Sequence, residues 1–222
     1  MTVYEIFTLI HVTFTIIALV TGIIAMIATP KGNKLHRKSG LVYFYSFIGI
    51  AIFGLLMVFI KYKDLFLGVT IFNTYIIIMG YRAVQYKSTK ANWVDWTMLT
   101  IFFCGGLLFV FSAIKMYGIF FQPDYGWGVI RIFYALLVVY IFIGDLRYFK
   151  NKAIDKKAWL YNHMEKMLIT FTSLISGVLL RFSDYFFPED FKWTFWITPY
   201  IVCLPLIAYW ISKYKPKTTK QK

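Results

Sequence analysis

Ionisable and polar residues recur three or four positions apart through one apolar stretch of the sequence, from Tyr161 to Phe186. If this stretch is helical, they share one face, because residues at that spacing line up along a helix. The face consists of His163, Lys166, Met167, Thr170, Ser173, Gly177, Arg181 and Asp184. Ionisable groups against hydrocarbon cost several kcal/mol, so this face is expected to point into a helix bundle, where such groups commonly mark a functional site.

Two histidines form a first candidate site, because His36 and His163 each open an apolar run. Two neutral imidazoles at the same depth can ligate the iron of a b-type haem axially or bind a divalent metal. Met167 lies one turn beyond His163 and offers a thioether as a substitute ligand, while Arg37 can pair with a haem propionate or a phosphate. The alternative is that both histidines are interfacial anchors without a ligand, since structural zinc generally takes four ligands.

A second candidate site consists of His11, Arg131 and Arg181. Each lies near the same end of its apolar run, and Arg181 is roughly 27 Å along a helix from His163. Three potential cations at one level predict an anionic partner, which is either a small-molecule substrate or an acidic side chain. The acidic residues nearest in sequence are Asp184, Glu189 and Asp190.

Asp145 lies near the end of the fifth apolar run. Its helical face also carries Arg131, Tyr134, Val138 and Ile141. We expect Asp145 to pair with Arg147 or a neighbouring Lys, or alternatively to orient His163 or relay a proton.

The chain of 222 residues is 59% hydrophobic and 21% aromatic, which is typical of a polytopic membrane protein with one transmembrane domain over 1–222. Seven runs reach the roughly 20 residues needed to cross hydrocarbon, so the predicted fold is an all-α bundle of seven transmembrane helices. The predicted spans are Glu5–Thr29, Gly40–Ile60, Leu65–Tyr86, Val94–Met116, Gly126–Phe149, Tyr161–Phe186 and Trp193–Ser212.

The basic residues that give the net charge of +14 lie mainly in the loops. Loops after the first, third and fifth runs, with the C-terminal tail, hold seventeen Lys and Arg, and the opposite loops hold four. By the positive-inside rule the N-terminus lies outside and the C-terminus in the cytoplasm. The expected partners are therefore the bilayer of the plasma membrane and its anionic lipids at the cytoplasmic face, and not nucleic acid.

An internal repeat is suggested by aligning His36 with His163, an offset of 127 residues. Phe44, Ser46 and Ile48 then fall on Phe171, Ser173 and Ile175. The pattern indicates that the first three spans repeat as the last three, in the same orientation and with the fourth span between them. Such a 3+1+3 parallel pseudo-repeat is known among transporters.

The chain resembles a family of uncharacterised bacterial multi-spanning membrane proteins, a domain-of-unknown-function family. The likeness lies in His11, in LHRKSGLVY (35–43) and in NHMEKMLITFTSLISGVLLRF (162–182). The family pattern has His-Arg-x-x-Met before a span that closes on Leu-Arg, and Met164 stands here where that Arg would be. The resemblance implies a compact membrane protein with no assigned reaction.

Three functions fit these observations. The first is a membrane redox protein with a haem or metal between His36 and His163. The second is a small-solute or proton-coupled transporter, which requires a continuous polar path through the membrane. The third is an intramembrane enzyme or an accessory protein.

Overall fold

The computed structural model describes residues 1–88, 90–119, 125–150 and 157–214, apart from the side chains at 115–119, 125, 184, 189 and 190. These residues form seven helices and no strand. The helices are α1 Val3–Ile27, α2 Lys34–Ile60, α3 Asp64–Tyr86, α4 Trp93–Ile119, α5 Tyr125–Lys150, α6 Ala158–Phe186 and α7 Glu189–Tyr214. Each is long and apolar enough to cross a bilayer, so the protein is an all-α, multi-pass membrane protein, as the sequence predicted.

The largest difference between predicted and observed helix bounds is in α2, which begins at Lys34 and not at Gly40. Asn33 caps this helix, since its side chain accepts a hydrogen bond of 2.7 Å from the backbone N–H of His36. Because the first turn of α2 is basic and polar, a helix start predicted from hydropathy falls after it. His36 and Arg37 therefore lie on the first turn of a helix.

Five helices pack side by side in a closed ring, in the order α3, α4, α5, α7 and α6. Aromatic side chains that are at most 1% exposed fill much of its interior: Phe72, Tyr75, Phe102, Phe109, Tyr134 and Tyr200. Tyr75 stacks on Phe102 with 4.1 Å between ring centroids. Because lipid tails are as apolar as these rings, close packing and internal hydrogen bonds hold the helices together, and not a hydrophobic driving force.

Helices α1 and α2 form a hairpin outside this ring that packs on α3 and α6. Small residues permit the close approach: a Cβ at Gly22 would lie 2.8 Å from the Phe171 ring, and one at Gly49 would lie 2.7 Å from the Phe14 ring. Ala18, one turn before Gly22 on α1, is fully buried. Helix α6 thus has the ring on one side and the hairpin on the other.

The two halves suggested by the 127-residue offset pack differently. The aligned residues Tyr43 and Thr170 do meet, with 2.8 Å between their hydroxyl oxygens, as residues beside an axis would. However, α1 packs along α2, whereas the described parts of α5 and α6 have at most marginal backbone contact. The pseudo-repeat therefore stays a prediction.

The end of the bundle at which α2, α4 and α6 begin is called the basic end here, because its loops hold most of the Lys and Arg. Which side of the membrane it faces also stays a prediction.

Candidate functional site

Helix α6 carries more buried polar residues than any other described helix. They are Asn162, Lys166, Thr170, Thr172, Ser176 and Ser183, each at most 8% exposed. Lys166 and Thr170 belong to the polar face predicted from the sequence, so that prediction is confirmed toward the basic end. Gly177 and Arg181, further along, are exposed.

An ion pair joins α6 to α5 near the basic end of the ring. The Lys166 Nζ atom lies 2.7 Å from Asp145 Oδ1, and the two side chains are 2% and 3% exposed. The other two ion pairs of the described residues, Arg82–Asp95 and Arg131–Asp64, keep more than a tenth of each side chain exposed. Burying two charges carries a large desolvation penalty that must be offset by their attraction and further hydrogen bonds.

Asp145 has those further hydrogen bonds. Tyr75 Oη donates to Asp145 Oδ2 at 2.6 Å, and Asn162 Nδ2 donates to Oδ1 at 3.2 Å. The backbone of α3 approaches Lys166 closely because position 80 is glycine: a Cβ at Gly80 would lie 3.0 Å from Lys166 Cβ. Three helices thus enclose the charge pair.

A cluster of hydroxyl groups lies about two helical turns deeper, since Ser173 is roughly 10 Å along α6 from Lys166. The Tyr200 hydroxyl is hydrogen-bonded to that of Ser173 and lies 3.1 Å from that of Tyr134. Trp196 Nε1 donates to Tyr134 Oη at 2.9 Å. Tyr134 and Tyr200 are fully buried.

Arg131, three residues before Tyr134 on α5, continues this series toward the opposite end. Its Nη2 atom lies 3.1 Å from Asp64 Oδ1, and its Nε donates to Ser112 Oγ at 3.1 Å. Polar groups are therefore distributed through the ring from one end to the other. We call this series the polar column: Lys166, Asp145, Tyr75, Asn162, Ser173, Tyr200, Tyr134 and Arg131.

His36 and His163 adopt the same hydrogen-bonding arrangement. His36 Nδ1 lies 2.9 Å from Ala25 O, and His163 Nδ1 lies 2.9 Å from Gly80 O. Because a carbonyl only accepts, each Nδ1 carries the proton, and Nε2 of the neutral ring is left as an acceptor. A metal-binding histidine has the same arrangement, with its non-ligating nitrogen donating to a backbone carbonyl or carboxylate.

The other residues predicted for this site have different surroundings. Met167 Cε would lie 3.1 Å from a Cβ at Gly80, so its thioether packs beside the same α3 backbone that His163 contacts. Arg37 is exposed. Among the described residues no group of three or more His, Cys, Asp or Glu could hold a metal ion. Ligand binding by this site stays a prediction.

The residues of the second predicted site bond to different helices. His11 Nδ1–H donates to Ile50 O on α2 at 3.1 Å. Arg131 pairs with Asp64 on α3, and Arg181 is exposed. The contacts of the described residues thus do not gather the three side chains around one anion, and their role in substrate binding stays a prediction. The side chains of Asp184, Glu189 and Asp190 lie outside the described residues.

Asp145 differs from the expectation. It pairs with Lys166, 21 residues away on another helix, and not with Arg147. Two residues along a helix are about 200° apart, so Asp145 faces the ring interior while Arg147 is exposed. Asp145 does not accept from His163 Nδ1, which bonds instead to Gly80 O. The residues predicted to share the Asp145 face of α5 do lie together, since Tyr134, Val138 and Ile141 are buried as Asp145 is.

Sequence reasoning missed Tyr75 and Tyr200 as partners in the polar column. A tyrosine inside an apolar run has no spacing signal of its own, because it is as often a packing residue as a polar one. Asn162 offered a weak signal, since it lies one helical turn before Lys166.

The chain matches no family model, no curated protein and no solved structure. The fold and the site define its class: a seven-helix membrane protein with an ion pair buried in a five-helix ring. Its resemblance to the uncharacterised bacterial family stays a prediction.

Proposed function

We propose that the protein is a proton-linked membrane transporter and that its polar column carries protons through the five-helix ring. The observation that carries the proposal is the Lys166–Asp145 pair, because charges inside a membrane commonly serve ion or proton movement. A proton that moves from Lys166 Nζ to Asp145 Oδ1, over 2.7 Å, breaks an N–H bond and forms an O–H bond. Both groups become neutral while the net charge of the pair stays zero, so this transfer needs no exposure to water.

The hydroxyl groups of the column support this proposal. A hydroxyl both donates and accepts a hydrogen bond, so Tyr75, Ser173, Tyr200 and Tyr134 can each pass a proton on. Between the ion pair and Ser173 a separation of roughly 10 Å along α6 remains. Ordered water or a bound solute would bridge it.

Helix α7 supports transport as well. It carries Pro199 and Pro205 within its span, next to Tyr200 of the column. Each proline removes one backbone hydrogen bond from this continuous helix, and apolar spans that contain proline near a midplane site are typical of transporters.

The test is proton uptake by liposomes that contain the purified protein and an internal pH-sensitive dye. A potassium diffusion potential drives protons inward, and we expect faster acidification than in protein-free liposomes. Asp145→Asn and Lys166→Met should each reduce the rate at least tenfold. Arg82→Met is the matched control, because it breaks a more exposed ion pair between α3 and α4. Uptake by both column variants at the normal rate would refute the proposal.

A redox protein with a haem or metal at His36 and His163 is the second candidate. The observation that favours it is the matched tautomer of the two rings, which leaves both Nε2 atoms as acceptors. The purified protein should then show a reducible Soret band that is lost in His163→Ala and shifts in His36→Met. A colourless protein without bound transition metal would exclude this function and leave the transporter.

A further inference from the structure

A second carboxylate lies at the same depth as the ion pair, at the seam between α5 and α6. Glu165 Oε1 accepts a hydrogen bond of 3.0 Å from Tyr140 Oη. Glu165 is half-buried, and Tyr140 is 59% exposed. The two helices have at most marginal backbone contact in their described parts, so this pair bridges a gap and not a packed interface.

Trp159, on the same helix, indicates how deep Glu165 lies in the membrane. Lys87 Nζ lies 5.6 Å from the centre of the Trp159 ring, as expected for a basic and an aromatic residue at a membrane interface. Glu165 is six residues further along α6, or roughly 9 Å deeper. Position 165 is therefore expected at the level of the apolar part of the bilayer.

No cation pairs with Glu165 in the described part of the chain, in contrast to Asp145 with Lys166. Tyr140 supplies a single neutral hydrogen bond to it. An intramembrane carboxylate with so little compensation is costly, and a positive charge beside it would lower that cost.

The surface of α5 beside Tyr140 is uncovered at Gly144. Gly144 lies one turn beyond Tyr140 on the same side of α5, and a Cβ built there would meet no atom within 4 Å. The exposed side chains on this face of α5 are apolar and include Leu136, Val139 and Ile143. This exposed surface thus combines a carboxylate, an aromatic ring and apolar side chains.

We propose that this seam binds a lipophilic organic cation that enters from the bilayer. Glu165 would pair with the charge, the Tyr140 ring would add a cation–π contact, and the apolar body would rest on α5. The inference rests on the proposed function in that it names the substrate class of the transporter. Asn162 lies three residues from Glu165 and donates to Asp145, so the seam adjoins the polar column.

The test is equilibrium binding of tetraphenylphosphonium to the full-length protein in a non-ionic detergent. Glu165→Gln should weaken binding at least tenfold, and Tyr140→Phe by a smaller factor. Glu165→Asp should keep most of the affinity, because it retains the charge. Glu5→Gln is the matched control, since Glu5 caps the exposed start of α1. Uncharged triphenylphosphine oxide should not distinguish wild type from Glu165→Gln.

Equal binding by wild type and a folded Glu165→Gln variant would overturn this inference, as would the absence of tetraphenylphosphonium binding to the wild type. Its failure is distinguishable from that of the proposed function. Proton uptake that depends on Asp145 is measured without any organic cation, so it can persist when Glu165 binds nothing. Conversely, binding lost in Glu165→Gln supports the seam even if no variant moves protons.

Discussion

Lys166 Nζ on α6 and Asp145 Oδ1 on α5 lie 2.7 Å apart, although the described backbones of these two helices barely touch. Their two side chains contact each other in the interior of the ring near its basic end. Tyr75 on α3 donates to the other oxygen of Asp145, so the same carboxylate holds three helices together. The pair is thus placed to stabilise the fold and to change state during function.

The stability of this pair is testable by removing one charge. Lys166→Met leaves Asp145 buried without its cation and should lower the free energy of unfolding by about 3–5 kcal/mol. The double variant with Asp145→Asn should recover part of that loss, because the remaining groups are neutral. Denaturant unfolding in detergent micelles measures both. A loss in Lys166→Met no larger than that in Arg82→Met would contradict the assignment.

The hydrogen bond between Tyr43 and Thr170 joins the α1–α2 hairpin to the ring, with 2.8 Å between the oxygens. Interhelical hydrogen bonds in membranes contribute about 0.6 kcal/mol on average and up to about 1.7. A double-mutant cycle with Tyr43→Phe and Thr170→Val should give a coupling energy in this range. Additive effects of the two changes would show that the contact does not hold the hairpin.

The packing of the hairpin is testable at Gly49. Because a Cβ there would lie 2.7 Å from the Phe14 ring, Gly49→Ala should lower the free energy of unfolding by about 1–3 kcal/mol. Gly40→Ala on the same helix is the control, since a Cβ there meets nothing within 4 Å. It should leave stability unchanged or raise it, given the low helix propensity of glycine. Equal melting temperatures for both variants would argue against the close contact.

The orientation in the membrane is testable by cysteine labelling. The native Cys104 and Cys203 are first replaced by serine, and single cysteines are placed at Lys63 and Lys90. With the N-terminus outside, a membrane-impermeant maleimide should label position 63 in intact cells and position 90 only after permeabilisation. The opposite pattern would reverse the predicted topology.

The transmembrane character of the protein and its seven spans followed from the sequence alone. Crossing hydrocarbon requires a run of roughly 20 apolar residues, and this property is local to each run. The polar face of α6 at Lys166 and Thr170, and the grouping of Tyr134, Val138 and Ile141 with Asp145 on α5, were also predicted, because helical periodicity places residues on faces without knowledge of neighbouring helices. The true start of α2 was missed, since a basic turn capped by Asn33 is polar and helical at once.

Only the tertiary structure decided which faces meet. The pairing of Asp145 with Lys166, the bond from Tyr75 and the uncovered surface beside Gly144 depend on how each helix is rotated and which helix lies next to it. Ridges and grooves of whole helices, and small residues such as Gly80 that let backbones approach, determine this arrangement. Spacing along one helix carries no information about the face of another, so the charge pair inside the ring emerges only once the five helices are packed.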